Sequence, residues 1–125
     1  HCLSSAASDV YKRQILTLEA LADGIMESAV SITYETKLRP ENEQSPSWME
    51  AQWSKVLHAV KALENGEFRS MEGNLNMGQI AVACALGYLD FRHDARQWRN
   101  GHSNLASWNE KIMGLPALIK TIPTD

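Results

Sequence analysis

The segment 15–38 has the pattern of an amphipathic helix. Its apolar residues recur three and four positions apart, which places them on one face of a helix. They are Leu18, Leu21, Ala22, Ile25, Ala29 and Ile32. We expect this helix to end at Arg39, because Pro40 disfavours helical geometry in the residue before it.

A second helix is predicted after the polar loop 41–47. Ser45 is a suitable cap, and Pro46 suits the first helical position because proline has a fixed φ and no N–H to satisfy there. The segment Asn65-Gly66 should end the helix. Its apolar side is predicted to carry Trp53, Val56, Leu57, Val60 and Leu63.

The stretch 75–92, LNMGQIAVACALGYLDFR, is apolar on every side between Ile80 and Leu89. Such a helix belongs in a membrane or at the centre of a bundle. The run is far shorter than the roughly 20 residues that cross a bilayer, so we expect a central helix shielded by its neighbours. Asn76 and Gln79 are predicted to form a capping box at its start. Small residues should let other helices approach closely; these are Ala81, Ala83, Ala85 and Gly87.

The remainder of the chain predicts two more helical pieces. A polar link, 93–103, contains the turn signal Asn100-Gly101, and Ser103 is expected to cap the helix that follows. Pro116 should begin a last short helical piece. No segment alternates with period two over a strand's length, so the sequence predicts an all-α bundle of about five helices.

Composition narrows the function classes. The chain has 125 residues, 44% of them hydrophobic, and a formal net charge of -3. Without a cluster of lysines and arginines, it offers nucleic acid little to bind. Cys84 lies within the apolar helix, so we expect a buried, unreactive thiol and a reducing, cytoplasmic setting.

Residues 1–14 are predicted to be a non-native segment. The eleven residues SSAASDVYKRQ, at 4–14, show no helical stripe and resemble a translated adaptor from sequencing libraries. We therefore assign the fold to residues 15–125 and expect native sequence upstream of Ile15 to be missing.

Residues 15–123 resemble the C-terminal helical domain of the cytosolic glutathione S-transferase family, bacterial branch. Three pieces carry the resemblance: LEALADGIMESAVSITYETKLRP, LNMGQIAVACALGYLDFR, and the spacing of Leu105, Trp108 and Pro116. The family usually has Ser or Thr and then Asp at the positions of Asn76 and Gln79, and commonly Arg at that of Leu115.

The resemblance implies an enzyme that conjugates or reduces hydrophobic electrophiles with glutathione as co-substrate, in a homodimer. The catalytic residue would lie in an N-terminal thioredoxin-like domain, which this chain lacks, so the fragment alone should be inactive. The helical domain would supply the wall of the electrophile site and part of the dimer surface.

The first predicted helix also has a row of acidic residues. Glu19, Asp23, Glu27 and Glu35 share one i, i+4 row, with Ser31 in the gap. This row is either a solvated face or a ridge for a positively charged partner. The resemblance singles out Glu27, which falls where the family often places an acid near the amino group of glutathione in the neighbouring subunit.

Four further positions match the electrophile pocket of the family: Ser31, Tyr34, Tyr88 and Arg92. Each is also consistent with ordinary packing or, for Arg92, with a cation at a helix end. His93 is expected in a charged loop with Asp94 and Arg96. No histidine or cysteine spacing matches a metal site, so we predict none.

Two alternatives remain. The same helical domain occurs in non-catalytic interaction modules, which an upstream thioredoxin-like sequence would exclude. The other alternative is an unrelated helical bundle. The capped start of a wholly apolar helix disfavours it.

Overall fold

The computed structural model describes residues 2–66 and 71–124, with side chains from Ala6 onward. Within those ranges the chain forms five α-helices and no strand, which confirms the all-α prediction. The helices are α1 (Cys2–Leu38), α2 (Pro46–Asn65), α3 (Met77–His93), α4 (Ser103–Met113) and α5 (Pro116–Ile119).

None of the described helices is long and apolar enough to cross a bilayer.

Helix α1 begins earlier than predicted. It is a continuous helix from Cys2 rather than from Ile15. Helix propagation needs only one further backbone bond per residue once a nucleus exists, and the packed turns after Ile15 supply that nucleus. All side chains from Ala6 to Gln14 are exposed. The non-native origin of residues 1–14 stays a prediction.

The core lies where α1 packs against α2 and α3. Five of the six apolar positions predicted on α1 are fully buried, and the sixth, Leu21, packs partly buried against the same core. On α2 the prediction was wrong for Leu57, which is 37% exposed, while the other four residues of that face are buried. A side chain at the edge of a helical stripe can lie beyond the reach of the neighbouring helices.

The shielding of α3 is incomplete. Val82, Ala85, Leu86 and Leu89 are buried in the main core, whereas Ala83 packs in a second cluster with Ile112 of α4 and Leu118 of α5. Cys84 is exposed, contrary to the prediction of a buried thiol. The described helices therefore leave part of α3 uncovered at Cys84, although its sequence is apolar on every side.

The start of α3 is capped as predicted, but only in part. The Asn76 side-chain oxygen accepts a hydrogen bond from the Gln79 N–H at 3.0 Å. The Gln79 amide does not return to the Asn76 N–H; it donates to the Asn74 carbonyl at 3.2 Å. The Gln79 side chain thus uses its NH₂ donor on the preceding loop rather than its oxygen on the Asn76 N–H.

Gly78, rather than Gly87, is the point of close helix approach. A Cβ on Gly78 would lie 2.9 Å from Leu18 Cβ and 3.0 Å from the Ile15 carbonyl oxygen. A Cβ on Gly87 would meet nothing within 4 Å. The prediction for Gly87 was therefore wrong, because it lies toward the less covered side of α3.

Helix α4 is capped from a different helix. No side chain at its own N-cap position makes a capping bond, so the prediction for Ser103 was wrong. Instead, the Glu64 carboxylate, near the end of α2, accepts hydrogen bonds from the Asn104 N–H at 3.1 Å and the Leu105 N–H at 2.6 Å. A carboxylate at a helix N-terminus satisfies free N–H groups and is favoured by the helix dipole.

Candidate functional site

A cavity of about 430 Å³ lies between the last turns of α1 and α3. It brings together three of the predicted pocket residues, Tyr34, Tyr88 and Arg92. The other lining residues are Val30, Thr33, Lys37, Leu38, Phe91 and Pro123. This is the size of a small-molecule site.

The lining is mostly apolar with two cations. Phe91, Leu38, Val30 and the rings of the tyrosines supply the apolar surface, and Lys37 and Arg92 supply the positive charge. The Arg92 guanidinium lies 4.0 Å from the centre of the Phe91 ring, a cation–π contact. None of the described lining residues is acidic. The arrangement suits an apolar molecule, with polar groups at one side.

Tyr88 is fixed in the cavity wall by a hydrogen-bond chain into the core. Its hydroxyl donates to Thr33 Oγ1 at 2.8 Å, and the Thr33 hydroxyl donates to the Ala29 carbonyl at 3.1 Å. Because the only hydroxyl proton of Thr33 is donated to the Ala29 carbonyl, Tyr88 must be the donor in the hydrogen bond between Tyr88 and Thr33. The Tyr88 oxygen therefore keeps only acceptor capacity for a ligand.

His93 joins the same chain and corrects a prediction. It is the last residue of α3 and is only 8% exposed, rather than part of a charged loop. Its Nε2 lies 2.8 Å from the Ala29 carbonyl oxygen and 3.1 Å from Thr33 Oγ1. A carbonyl oxygen can only accept, so Nε2 carries a proton. This contact ties the end of α3 to the middle of α1.

Burial lowers the pKa of His93 below its ordinary value of 6.5, and the nearby cations Arg96 and Arg92 lower it further, against the opposing hydrogen bond to Ala29. The neutral ring is thus the folded form near pH 7. The unfolded chain takes up this proton at a higher pH than the folded chain does, so folding stability is complete above pH 6.5 and falls as the pH drops below it.

The remaining two predicted site residues lie elsewhere. Glu27 is exposed on α1, and the Ser31 hydroxyl donates to the Glu27 carbonyl at 2.8 Å. Neither lines the cavity. Glu35, at the end of the acidic row, has a structural role: it pairs with Arg39 at 3.5 Å and accepts the Ser45 N–H at 3.1 Å. It holds the loop between α1 and α2.

Some of the cavity-lining residues that the sequence analysis did not name could have been predicted from their spacing. Val30 and Leu38 lie four residues on either side of Tyr34, and Lys37 lies three after it, so the same helical face contains all of them. Phe91 lies three residues after Tyr88. Pro123 has no such signal, because its place depends on how the chain returns after α5.

A second cavity, of about 550 Å³, lies beside the start of α3. Trp108, Lys111 and Leu115 line one side of it, and Leu75 and Gln79 line the other. None of the predicted site residues borders it. The Trp108 ring N–H donates to the Met71 carbonyl at 3.3 Å, which holds this side of the bundle together.

Across residues 2–66 and 71–124, no group of three or more His, Cys, Asp or Glu side chains is placed to hold a metal ion.

Comparison with known proteins identifies the family. The family model "Glutathione S-transferase, C-terminal domain" matches residues 46–110. An uncharacterized GST-like protein of Escherichia coli (strain K12), YibF, is 30% identical over 114 residues, covering 88% of this chain and 55% of its own.

Solved structures support the same family. A glutathione transferase family member from Pseudomonas fluorescens Pf-5, with bound S-(propanoic acid)-glutathione, superposes with a TM-score of 0.86 at 40% identity, over 89% of this chain and 57% of its own. A glutathione S-transferase from Methylobacillus flagellatus KT, with glutathione bound, has a TM-score of 0.81 at 29% identity, over 90% of this chain and 57% of its own. The chain thus spans little more than half the length of these relatives. It belongs to the glutathione S-transferase family and has the fold of its C-terminal helical domain.

Proposed function

We propose that residues 15–125 are the helical half of a glutathione transferase that conjugates or reduces hydrophobic electrophiles. The cavity between α1 and α3 would form one wall of the electrophile site. One observation carries this proposal: Tyr34, Tyr88 and Arg92, matched to the pocket of the family by sequence, border a single mostly apolar cavity. Ser31 does not line that cavity, and its contact with the electrophile stays a prediction.

Glutathione is the proposed co-substrate. Two relatives that share 40% and 29% identity with this chain were solved with glutathione or a glutathione derivative bound. In the intact protein a thioredoxin-like domain would hold the thiol and supply the catalytic residue, so the present chain by itself should turn nothing over. The exposed Glu27 carboxylate is our candidate for the contact with the glutathione amino group across a homodimer. We assign the protein to the cytoplasm.

The test uses the complete reading frame that contains residues 15–125. The protein is passed over immobilised glutathione and assayed for conjugation of 1-chloro-2,4-dinitrobenzene. We expect retention and turnover. Tyr34→Ala should raise the KM for the electrophile at least about fivefold without changing the KM for glutathione, since it removes about 1 kcal/mol or more of apolar contact.

Leu57→Ala is the matched control, because Leu57 is a partly exposed apolar residue on α2, outside the cavity. An unchanged KM in Tyr34→Ala would remove the cavity from the electrophile site. A protein that neither binds immobilised glutathione nor conjugates the electrophile would support the alternative, a non-catalytic interaction module.

A further inference from the structure

One face of α3 is uncharged and stays partly or fully exposed from the first turn of the helix to the last. Residues three and four positions apart share a helical face, and six residues of α3 with exposed surface follow this spacing. They are Met77, Ile80, Cys84, Gly87, Tyr88 and Phe91, and we call them the α3 stripe. Met77 is 63% exposed and Cys84 is exposed, while the other four are partly covered. At 1.5 Å per residue the stripe is about 21 Å long.

The α3 stripe has the character of an interface rather than of a solvated surface. The Tyr88 hydroxyl is committed to Thr33, and a Cβ on Gly87 would meet nothing within 4 Å. A helix that is apolar on every side is suited to neighbours on every side, and a continuous exposed apolar patch marks a site of interaction. We therefore expect the stripe to be covered in the intact protein.

The size of the α3 stripe favours a partner that belongs to the same chain. With a helix diameter of about 10 Å, the stripe presents roughly 200 Å². A stable interface between separate proteins takes about 800 Å² from each partner, so a second copy that met only the stripe would bind weakly. A domain on a short linker has an effective concentration on the order of millimolar, and a smaller face can hold it. The matched relatives have further chain of their own, since this chain covers only 57% of each.

We propose that the α3 stripe is the surface on which the thioredoxin-like domain of the intact protein packs, with Cys84 near the middle of the buried area. This inference rests on the proposed function and places its two halves. Tyr88 and Phe91 belong both to the stripe and to the wall of the cavity, so the domain that covers the stripe also lies beside the electrophile. Its facing surface is apolar opposite Cys84, because a charge there would lose its water without gaining a partner.

Alkylation of Cys84 measures whether the stripe is covered. The 125-residue chain and the complete reading frame are treated with N-ethylmaleimide in native buffer. The peptide that contains Cys84 is quantified by mass spectrometry, so Cys2 and other thiols do not interfere. We expect Cys84 to react at least about tenfold more slowly in the complete protein, since an interface that is open less than about one-tenth of the time protects by that factor. In urea, where both proteins are unfolded, the two rates should be equal.

Cys84→Asp tests the same surface without a chemical label. In the 125-residue chain the new carboxylate lies in water, and the melting temperature should change by no more than about 2 °C. In the complete protein the carboxylate would be buried without a partner, and the melting temperature should fall by at least about 5 °C. Ala51→Asp is the matched control, because Ala51 is an exposed small residue on α2. It should shift neither protein by more than about 2 °C.

The outcomes separate the interface from the enzyme. Equal alkylation rates in native buffer would overturn the inference, and the proposed function would still stand on its own glutathione and turnover assays. Slow alkylation of the 125-residue chain that becomes faster on dilution would also overturn it, because a second copy would then be the occupant. A shielded Cys84 in a complete protein that neither binds immobilised glutathione nor turns over the electrophile would keep the interface and refute the proposed function.

Discussion

Gly78 offers the sharpest test of how α3 meets α1. Substitution by alanine would place a Cβ 2.9 Å from Leu18 Cβ and 3.0 Å from the Ile15 carbonyl oxygen. Both atoms are fixed by the backbone of α1, so no side-chain rotation can make room. Comfortable carbon–carbon contact begins near 3.5 Å, so α3 would have to move by about 0.6 Å at its first turn.

The expected loss of stability in Gly78→Ala is the difference between two opposing effects. Overpacking of this kind costs about 1–3 kcal/mol, and the new Cβ would also lie 3.1 Å from the Asn76 side-chain oxygen that caps the helix. Alanine regains up to about 1 kcal/mol of helix propensity over glycine. We expect Gly78→Ala to lower the free energy of unfolding by about 1–2 kcal/mol. Gly87→Ala, in the same helix with open space around it, should raise it by about 0.5–1 kcal/mol.

Urea unfolding followed by circular dichroism measures both variants against the parent chain. The difference between the two variants, about 2 kcal/mol, is larger than the error of the extrapolation in a domain of this size. Gly78→Ala and Gly87→Ala with equal stability would refute the close approach at Gly78. The register of α3 against α1, and with it the shape of the cavity, would then need revision.

Three further predictions concern the core, the pH dependence and a cap. Ala83→Asp should prevent folding, because it buries an unpaired carboxylate at a side chain that is 1% exposed, whereas Cys84→Asp beside it should fold; a thermal melt of Ala83→Asp within a few degrees of the parent would contradict this. The free energy of unfolding should fall as the pH drops below 6.5, by at most about 1.4 kcal/mol per pH unit from His93. His93→Gln, which keeps a donor for the Ala29 carbonyl, should flatten that dependence in urea titrations and the exposed His58→Gln should not. Glu64→Gln should cost about 1 kcal/mol in the same assay, since its carboxylate accepts two N–H groups at the start of α4; an unchanged stability would show that those bonds contribute nothing.

Local patterns predicted the elements of this fold well. The three- and four-residue spacing on α1 identified the residues that are buried, and Ser45 and Pro46 marked the start of α2, where the Ser45 side chain accepts the Trp48 N–H at 3.3 Å. The turn at Asn100-Gly101 is confirmed by the positive φ of Gly101. Each of these signals acts within a few residues of the chain, so the sequence displays it directly.

The errors came from contacts between distant residues. His93 looks like a loop residue beside Asp94, but it is buried by a bond to Ala29, 64 positions away. Ser103 looks like a cap, but the free N–H groups at the start of α4 donate to the carboxylate of Glu64, which lies on another helix. Cys84 has apolar neighbours in the sequence but is exposed in the fold. The sequence indicates that α3 can be buried on any side. The arrangement of the other helices decides which sides are buried.

Some residues of the candidate site also hold the fold together and others do not, and only the second group can test ligand binding without a change in stability. Thr33 and Tyr88 belong to the cavity wall and also to the hydrogen-bond chain that joins α1 to His93, so changing them alters packing and binding together. Tyr34 and Lys37 lie at the exposed mouth of the same cavity. Their removal costs the fold little, because surface side chains away from caps and networks contribute only a few tenths of a kcal/mol. A loss of binding in those two variants therefore reports on contact with the ligand, apart from any change in the stability of the bundle.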